Sequence, residues 1–441
     1  MIIGCCDRGK EVYSTIIMSA QIESIDPISG MDGVFRVQYT NELSQRLQAG
    51  LVPIDDVTRF LTKQYYDVHG IGTDFLTPPE FFPETGRCYA RLALRSFEQL
   101  GSPEVFSVFE AGGGNGTFMR GFLQEASGHE SFFAALQYHV IEQSEGLMMW
   151  QQNHIQDQEQ RDRIVWHNED VTEFEFPEVD AAMYIALEND DDLPSKAVYK
   201  RNGIPQEVFL HMQTGAVVEE VRDPSPELEA CIQQNSEWWS NVPENLKIYL
   251  PVHIESVKLR ERFVAKVHRG LMVTTDYGYF LNKSGKDMKH WIFPLYDAFE
   301  HNKHLFFRGS PFESIFSHAG KANYTANVDF TLLSEPGRKG GYRTSHYSHE
   351  DILDQFGMRT QVEQRCEQMN SSTQEELVTY MKKLAYIIDL GSKGWDTLIQ
   401  TKGFELNLDD SQQDLIAWFY ELAERYQLGD VRPDYRRGPA R

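Results

Sequence analysis

The stretch VFSVFEAGGGNGTFMRGFLQEA, Val105 to Ala126, decides the fold. Val105–Phe109 is the short β-branched and aromatic run expected of a strand buried on both faces. A glycine-rich turn follows, and from about Thr117 apolar residues recur at helical spacing. Working downstream, LQYHVIE (Leu136–Glu142), DRIVWHNED (Asp162–Asp170), VDAAMYIALEN (Val179–Asn189) and RGLMVTTDYGYF (Arg269–Phe280) read as further strands. Helix-like SVKLRERFVAKVHRG precedes the last of them. This alternation predicts an α/β fold, a Rossmann-like doubly wound and mostly parallel sheet.

Between the fourth and fifth strands lies an insert at about 195–251. Its first half, AVYKRNGIPQEVFLHMQTGAVVEEV, carries turn pairs at Asn202-Gly203 and Thr214-Gly215 and alternates like a β-meander. Its second half, PELEACIQQNSEWWSNV, reads as helix, with Trp238 and Trp239 packing its core. Upstream, Asn41 to about Arg59 reads as a helix. Gln64–Arg87 reads as a long loop in which Pro78, Pro79 and Pro83 rule out a regular helix or a central strand. Cys88–Gly101 is a helix that Gly101 stops. Downstream an aromatic-rich, poorly periodic region runs to about Arg343. Helices are then expected over His349–Phe356, Thr373–Leu390 and Ser411–Gln427. The expected organisation is an N-terminal helical segment and covering loop over 1–98, the core with its insert over 99–290, and a helical cap over 291–441 whose basic tail, 431–441, is disordered.

Composition narrows the function. The 441 residues hold 42 Lys+Arg against 66 Asp+Glu, and 42 − 66 = −24. That acid surplus argues against a nucleic-acid binder, which must neutralise phosphates. The hydrophobic fraction of 41% is ample for a packed core, and no apolar run approaches the roughly 20 residues of a membrane span. Five scattered cysteines, Cys5, Cys6, Cys88, Cys231 and Cys366, suggest neither a disulfide framework nor a zinc site. A reducing compartment, the cytoplasm, is therefore expected. The first residues lack a secretory pattern, and Met18 stands as an alternative start. His69, His139 and His167 have no metal-ligand spacing, and no metal is expected.

The chemistry sits in Glu110-Ala-Gly112-Gly-Gly114-Asn-Gly116. Glycine permits positive φ and close approach of a ligand to bare backbone. The following helix offers its N-terminal N–H groups. Glu142, ending the next strand, is placed to accept hydrogen bonds from a ribose diol. These features predict a nucleoside-binding site. A dinucleotide fingerprint would need a small residue where Thr117 stands, so a nicotinamide dehydrogenase is the weaker rival. The turn is similar to the [D/E]-x-G-x-G-x-G pattern of class I S-adenosylmethionine-dependent methyltransferases. That resemblance implies S-adenosyl-L-methionine as cofactor, with Gly112, Gly114 and Gly116 at its methionine part and Thr117 among the cofactor-binding residues. It also implies Glu110 at its amino group, Glu142 at its ribose, and Asn168, Glu169 or Asp170 beside its adenine.

The flanks resemble a narrower group, the MidA-like methyltransferases. TDFLTPPEFFPETGR (Thr73–Arg87) looks like that family's GDF-x-T-A-P-E…FG signature. YHVIEQS (Tyr138–Ser144), ALENDDDLP (Ala186–Pro194), TTDYGY (Thr274–Tyr279) and YTANVDF (Tyr324–Phe330) are similar to its later motifs, in the same order. The family includes bacterial proteins and a mitochondrial arginine methyltransferase that assists assembly of respiratory complex I. The resemblance implies a loop over the cofactor through Thr77, Pro79 and Glu80. It implies Glu188 and Asp191 as acids that orient the acceptor, and Asp276 beside the same strand edge. Asp190 and Asp192 read instead as a solvated acidic turn. The chain departs from the family pattern at Leu187, Asn189-Asp190 and Asn327, where the acceptor would sit. The acceptor implied is a protein arginine; a small-molecule or peptide acceptor, or a catalytically silent cofactor-binding assembly factor, remain as alternatives. Whether the chain forms a homo-oligomer stays open.

Overall fold

The computed structural model describes residues 2–3, 14–15, 42–68, 77–214, 216–244, 249–281, 325–369, 374–391, 395–408, 415–429 and 431. In chain order, helices α1 (Ile54–Val68), α2 (Pro78–Phe81) and α3 (Thr85–Gln99) lead into the core. There β1 (Phe106–Ala111), α4 (Thr117–Ala126), β2 (Leu136–Ile141), α5 (Glu145–His154), β3 (Ile164–His167) and β4 (Val179–Leu187) alternate. The insert supplies β5 (Lys196–Arg201), β6 (Ile204–Gln213), β7 (Ala216–Arg222), α6 (Pro226–Gln234), α7 (Ser236–Asn241) and β8 (Leu250–Val252). The core resumes with α8 (Ile254–Lys266), β9 (Val267–Tyr279) and α9 (Phe330–Lys339). It ends with β10 (Arg343–Ser348), β11 (Trp395–Lys402) and several helices.

The main sheet runs β10–β11–β9–β4–β1–β2–β3. The strands from β9 to β3 are parallel, and β11 is antiparallel to both of its neighbours. Side chains alternate between two buried layers, as a covered parallel sheet requires. Phe106, Val108, Met183, Ile185, Leu271 and Val273 face α3 and α4. Phe109, Ala111, Ala182, Tyr184, Ala186 and Met272 face α8. The chain reverses direction across the sheet between β1 and β4, so a crevice opens beyond their carboxyl ends.

The insert is the expected meander. Arg201 pairs with Ile204 across Asn202-Gly203, whose positive φ values of 53° and 79° suit a two-residue hairpin. Trp238 and Trp239 are buried, and the Trp238 indole donates to Asp329 Oδ2 at 2.7 Å.

Three readings need correction. The helix expected over Asn41–Arg59 is broken: a helix at 42–49 stops before Gly50, Val52–Pro53 pairs with β6, and α1 then starts at Ile54. Pro53 cannot donate to a ladder, which confines it to such an edge, and Asp55 and Asp56 favour the start of α1. The proline-rich loop contains one helical turn, α2, because proline is tolerated at the first helical position behind the Thr77 cap. The C-terminal region read as helical also supplies β10 and β11 to the main sheet, and a further helix spans Met358–Met369. Trp395–Lys402 is buried almost throughout, so it lacks the alternation by which a half-exposed strand is recognised. Val431 is buried; the remainder of the tail expected to be disordered, 432–441, lies outside the described residues, as do His69 and Thr73–Leu76.

Candidate active site

The sheet's hydrogen bonding continues into the site. Gly112 N–H donates to Ile141 O (2.9 Å), Glu142 N–H to His167 O (3.0 Å) and Glu188 N–H to Thr275 O (2.8 Å). Three strand ends thus carry their terminal residues into one crevice. The resulting open-sided cleft, about 580 Å³ with its solvent-filled mouth included, is walled by Gly112, Gly114, Glu142, Gln143, Leu147, Asp170 and Val171 on one side. Glu188, Asn189, Asp192 and Leu193 form the other side, with Thr62 and Tyr66 of α1.

The glycine side is built from backbone. Gly112, Gly114 and Gly116 have φ of +68°, +52° and +76°, a region that costs other residues about 1–2 kcal/mol. The chain's own packing also crowds two of these glycines. A Cβ on Gly112 would lie 2.5 Å from Asn189 Nδ2, and one on Gly116 would lie 3.0 Å from Gln151 Cγ. Gln151, buried on α5, donates to Gly114 O at 2.8 Å. Glu142 is held by two main-chain donors, Gly114 N–H and Ser144 N–H, each at 2.9 Å. Burial nevertheless pushes its carboxyl up to about 7.

Glu110 lies behind this wall. It accepts from the Tyr138 hydroxyl at 2.9 Å, and burial pushes its carboxyl up to about 8, with Glu142 and Glu80 raising it further. Glu80 closes a capping box with Thr77, and the Asn115 side chain is a further partner, so α2 lies against the glycine turn. Thr117 turns inward: its N–H donates to Asn115 Oδ1 at 3.0 Å, so the start of α4 is capped by the chain itself. Asn168 donates to Glu142 O and Gln143 O, bracing the loop after β2. Glu169 lies 3.8 Å from His167, and Asp170 accepts from Arg59 at 3.3 Å and from Thr172. His139 stacks on His167 with their ring nitrogens 3.0 Å apart.

The opposite side is built from side chains. Glu188 sits at φ +45°, beside Asp191 and Asp192 and within reach of Tyr277, and burial raises its carboxyl well above the usual range. Such a conformation persists in a non-glycine residue only where its surroundings impose it. Asp190, read from the sequence as solvated, is fully buried. Its oxygens take a two-pronged ion pair from Arg260 of α8 at 2.8 and 2.6 Å, and Arg260 also donates to Thr274. Asp192, also read as solvated, lines the cleft and accepts from the Tyr66 hydroxyl. Asp191 accepts from Thr325, and its N–H donates to Asp276 Oδ2 at 3.1 Å. Burial and the neighbouring acids raise Asp276 well above its ordinary value, and burial pushes Asp191 up to about 6.

Of the residues singled out from sequence, Gly112, Gly114, Glu142, Asp170 and Glu188 thus form cleft wall. Glu110, Gly116, Thr117, Asn168, Thr77, Glu80, Asp191 and Asp276 brace it, whereas Glu169 is exposed beside His167. Sequence reasoning missed Thr62, Tyr66, Gln151, Leu193 and Arg260. Gln143 and Leu147 follow Glu142 closely enough to have been found; Tyr66 and Arg260 carry no local signal.

The residues present fit S-adenosylmethionine. Its ammonium and sulfonium are cations, and the buried acids Glu110 and Glu142 and the half-buried Glu188 return to their charged form beside positive charge. Asn189 Oδ1, buried at the cleft edge, has no partner among the described residues and can accept from a ligand donor. Fold and cleft together define a class I nucleoside-cofactor protein. A family model described as "Putative S-adenosyl-L-methionine-dependent methyltransferase" matches residues 88–348. The chain belongs to that family, and it is a MidA-like class I methyltransferase that uses S-adenosylmethionine. Two solved structures from Burkholderia thailandensis share its fold. One, of an uncharacterized protein, is 19% identical with a TM-score of 0.63; the other, bound to S-adenosyl-homocysteine, is 18% identical with a TM-score of 0.64. Each alignment covers 86% of this chain and 97% of the other. Among the described residues no helix is long and apolar enough to cross a membrane.

Proposed function

We propose that the chain transfers the cofactor's methyl group to a nitrogen of a guanidinium, as on a protein arginine. The observation that carries this reading is Glu188, held in a left-handed backbone conformation at the carboxyl end of β4 and facing the cleft that the glycine turn walls. A guanidine nitrogen becomes nucleophilic when carboxylates localise the positive charge elsewhere, through paired contacts. Glu188 and Asp192 are the acids of the cleft wall opposite the turn, and Asp191 and Asp276 stand directly behind them. Arg260 is committed to Asp190, so it does not cancel that charge. Of the departures from the family pattern, Asn189 packs on Gly112 and Asp190 pairs with Arg260. The cytoplasm is the proposed compartment, in keeping with the buried free cysteines Cys88, Cys231 and Cys366.

The test is methyl transfer from labelled S-adenosylmethionine to arginine-containing peptides, matched lysine peptides and small amines, followed by acid hydrolysis. Label recovered as methylarginine supports the reading. Label on another nucleophile replaces the acceptor, and cofactor binding without transfer to any of them favours the silent assembly factor.

A further inference from the structure

Asn189 stands where the two sides of the cleft meet. It follows Glu188 on the turn after β4 and lines the cleft. Its carboxamide reaches across to the first glycine of the other side: a Cβ on Gly112 would lie 2.5 Å from Asn189 Nδ2 and 3.3 Å from its Cγ. The backbone around it is anchored. Glu188 N–H donates to Thr275 O at 2.8 Å, Asp192 N–H donates to Asn189 O at 3.3 Å, and Asp190 pairs with Arg260 at 2.6 Å. The side-chain oxygen is not anchored, because Oδ1 has no hydrogen-bond partner among the described residues. Asparagine χ2 is a broad torsion, so this oxygen can turn onto a donor in the cleft.

The cofactor brings such a donor to the glycine turn. Its amino-acid part carries an ammonium, whose three N–H groups each need an acceptor, as on a lysine. The acids near the turn meet that need poorly by direct contact. Glu110 lies behind the wall, where it accepts from the Tyr138 hydroxyl at 2.9 Å. Each oxygen of Glu142 already accepts a main-chain N–H, one from Gly114 and one from Ser144. These carboxyls supply a negative field, and a neutral oxygen on the wall beside Gly112 supplies a contact. A carboxamide suits that place, since a further carboxylate would set one more like charge beside Glu188.

We infer that the Asn189 carboxamide oxygen accepts a hydrogen bond from the ammonium of S-adenosylmethionine, so that the acid side of the cleft also selects the cofactor. The inference rests on the amino-acid part of the cofactor lying at the glycine turn; it does not depend on which nucleophile takes the methyl group.

The experiment titrates the full chain by calorimetry with S-adenosyl-homocysteine and with its deamino analogue, in which hydrogen replaces the ammonium. Wild-type protein should bind S-adenosyl-homocysteine about tenfold to a hundredfold more tightly, the worth of hydrogen bonds to a charged group. Asn189→Leu, of similar size and without polar atoms, should lose about tenfold for S-adenosyl-homocysteine and leave the deamino analogue unchanged. Asn189→Ala should show the same selective loss without new bulk against Gly112, and Asn189→Asp, which keeps an oxygen there, should preserve the preference for the ammonium. Equal losses for both ligands in Asn189→Leu and Asn189→Ala would mean that the side chain only packs on Gly112, and unchanged affinity for both would mean that it does not touch the cofactor. Either result overturns the inference, as does a wild-type protein that does not distinguish the two ligands. Wild-type affinity in Gly114→Val would remove the cofactor from the turn, and the inference with it. Weakened binding in Gly114→Val beside wild-type behaviour in the Asn189 variants overturns the role of Asn189 alone.

Discussion

The two sides of the cleft are made in different ways. The glycine side comes from two nearby stretches, 110–117 and 142–151, and presents main-chain groups shaped by positive φ. The acid side is gathered from α1, the turn after β4, α8, the end of β9 and Thr325, and presents carboxyls whose neighbours are residues far away in the chain. Backbone recognition suits a cofactor common to many enzymes, since it tolerates change in the surrounding side chains. Side-chain recognition suits an acceptor peculiar to one protein, and its cost is a strained Glu188 and several buried acids.

The sharpest way to break this contrast is at Arg260. Arg260→Met leaves Asp190 buried without its partner and should cost about 3–5 kcal/mol of stability. Replacing both partners, Asp190→Leu with Arg260→Met, should restore most of it in denaturant unfolding; no recovery would mean that Arg260 supports the fold some other way. On the glycine side, Gly114→Val forces a branched side chain to φ +52° and disturbs the bonds to Glu142 and Gln151. Cofactor affinity should fall about a hundredfold or more by calorimetry, and unchanged affinity would remove the turn from the site. Glu188→Gln should leave that affinity intact while lowering turnover of an arginine peptide about tenfold to a hundredfold. An unaltered rate would exclude Glu188 from the reaction.

A further effect is on pH dependence. Burial pushes Glu110 from its ordinary 4.5 up to about 8, so between these values the folded chain holds a proton that the unfolded chain has lost. Stability of the cofactor-free protein should therefore fall as pH rises through that window, by up to about 1.4 kcal/mol per pH unit for one such group. Melting temperatures at pH 5.5 and 8 should differ in that direction, and Glu110→Gln should reduce the difference. An equal slope in the variant would show that Glu110 is not the group responsible.

Much of the fold was legible because its signals are local. The β1 turn, the strand that ends at Glu142 and the hairpin at Asn202-Gly203 each lie within a few residues of the groups they organise. The strand Trp395–Lys402 escaped notice because burial on both faces erases alternation, and nothing near it in sequence says that it will lie antiparallel beside β9. Asp190 shows the same limit at the site. A run of acids reads as solvated until a guanidinium 70 residues away is found against it.

By itself, then, the sequence determined the doubly wound sheet, the glycine turn, its acid on the second strand and hence the cofactor class, since backbone conformation and hydrophobic period are short-range properties. Only the tertiary structure decided which acids face the cleft and which are neutralised beneath it. A carboxylate's charge is set by the groups that surround it, and here those groups lie 126 residues before and 70 residues after the acids they touch.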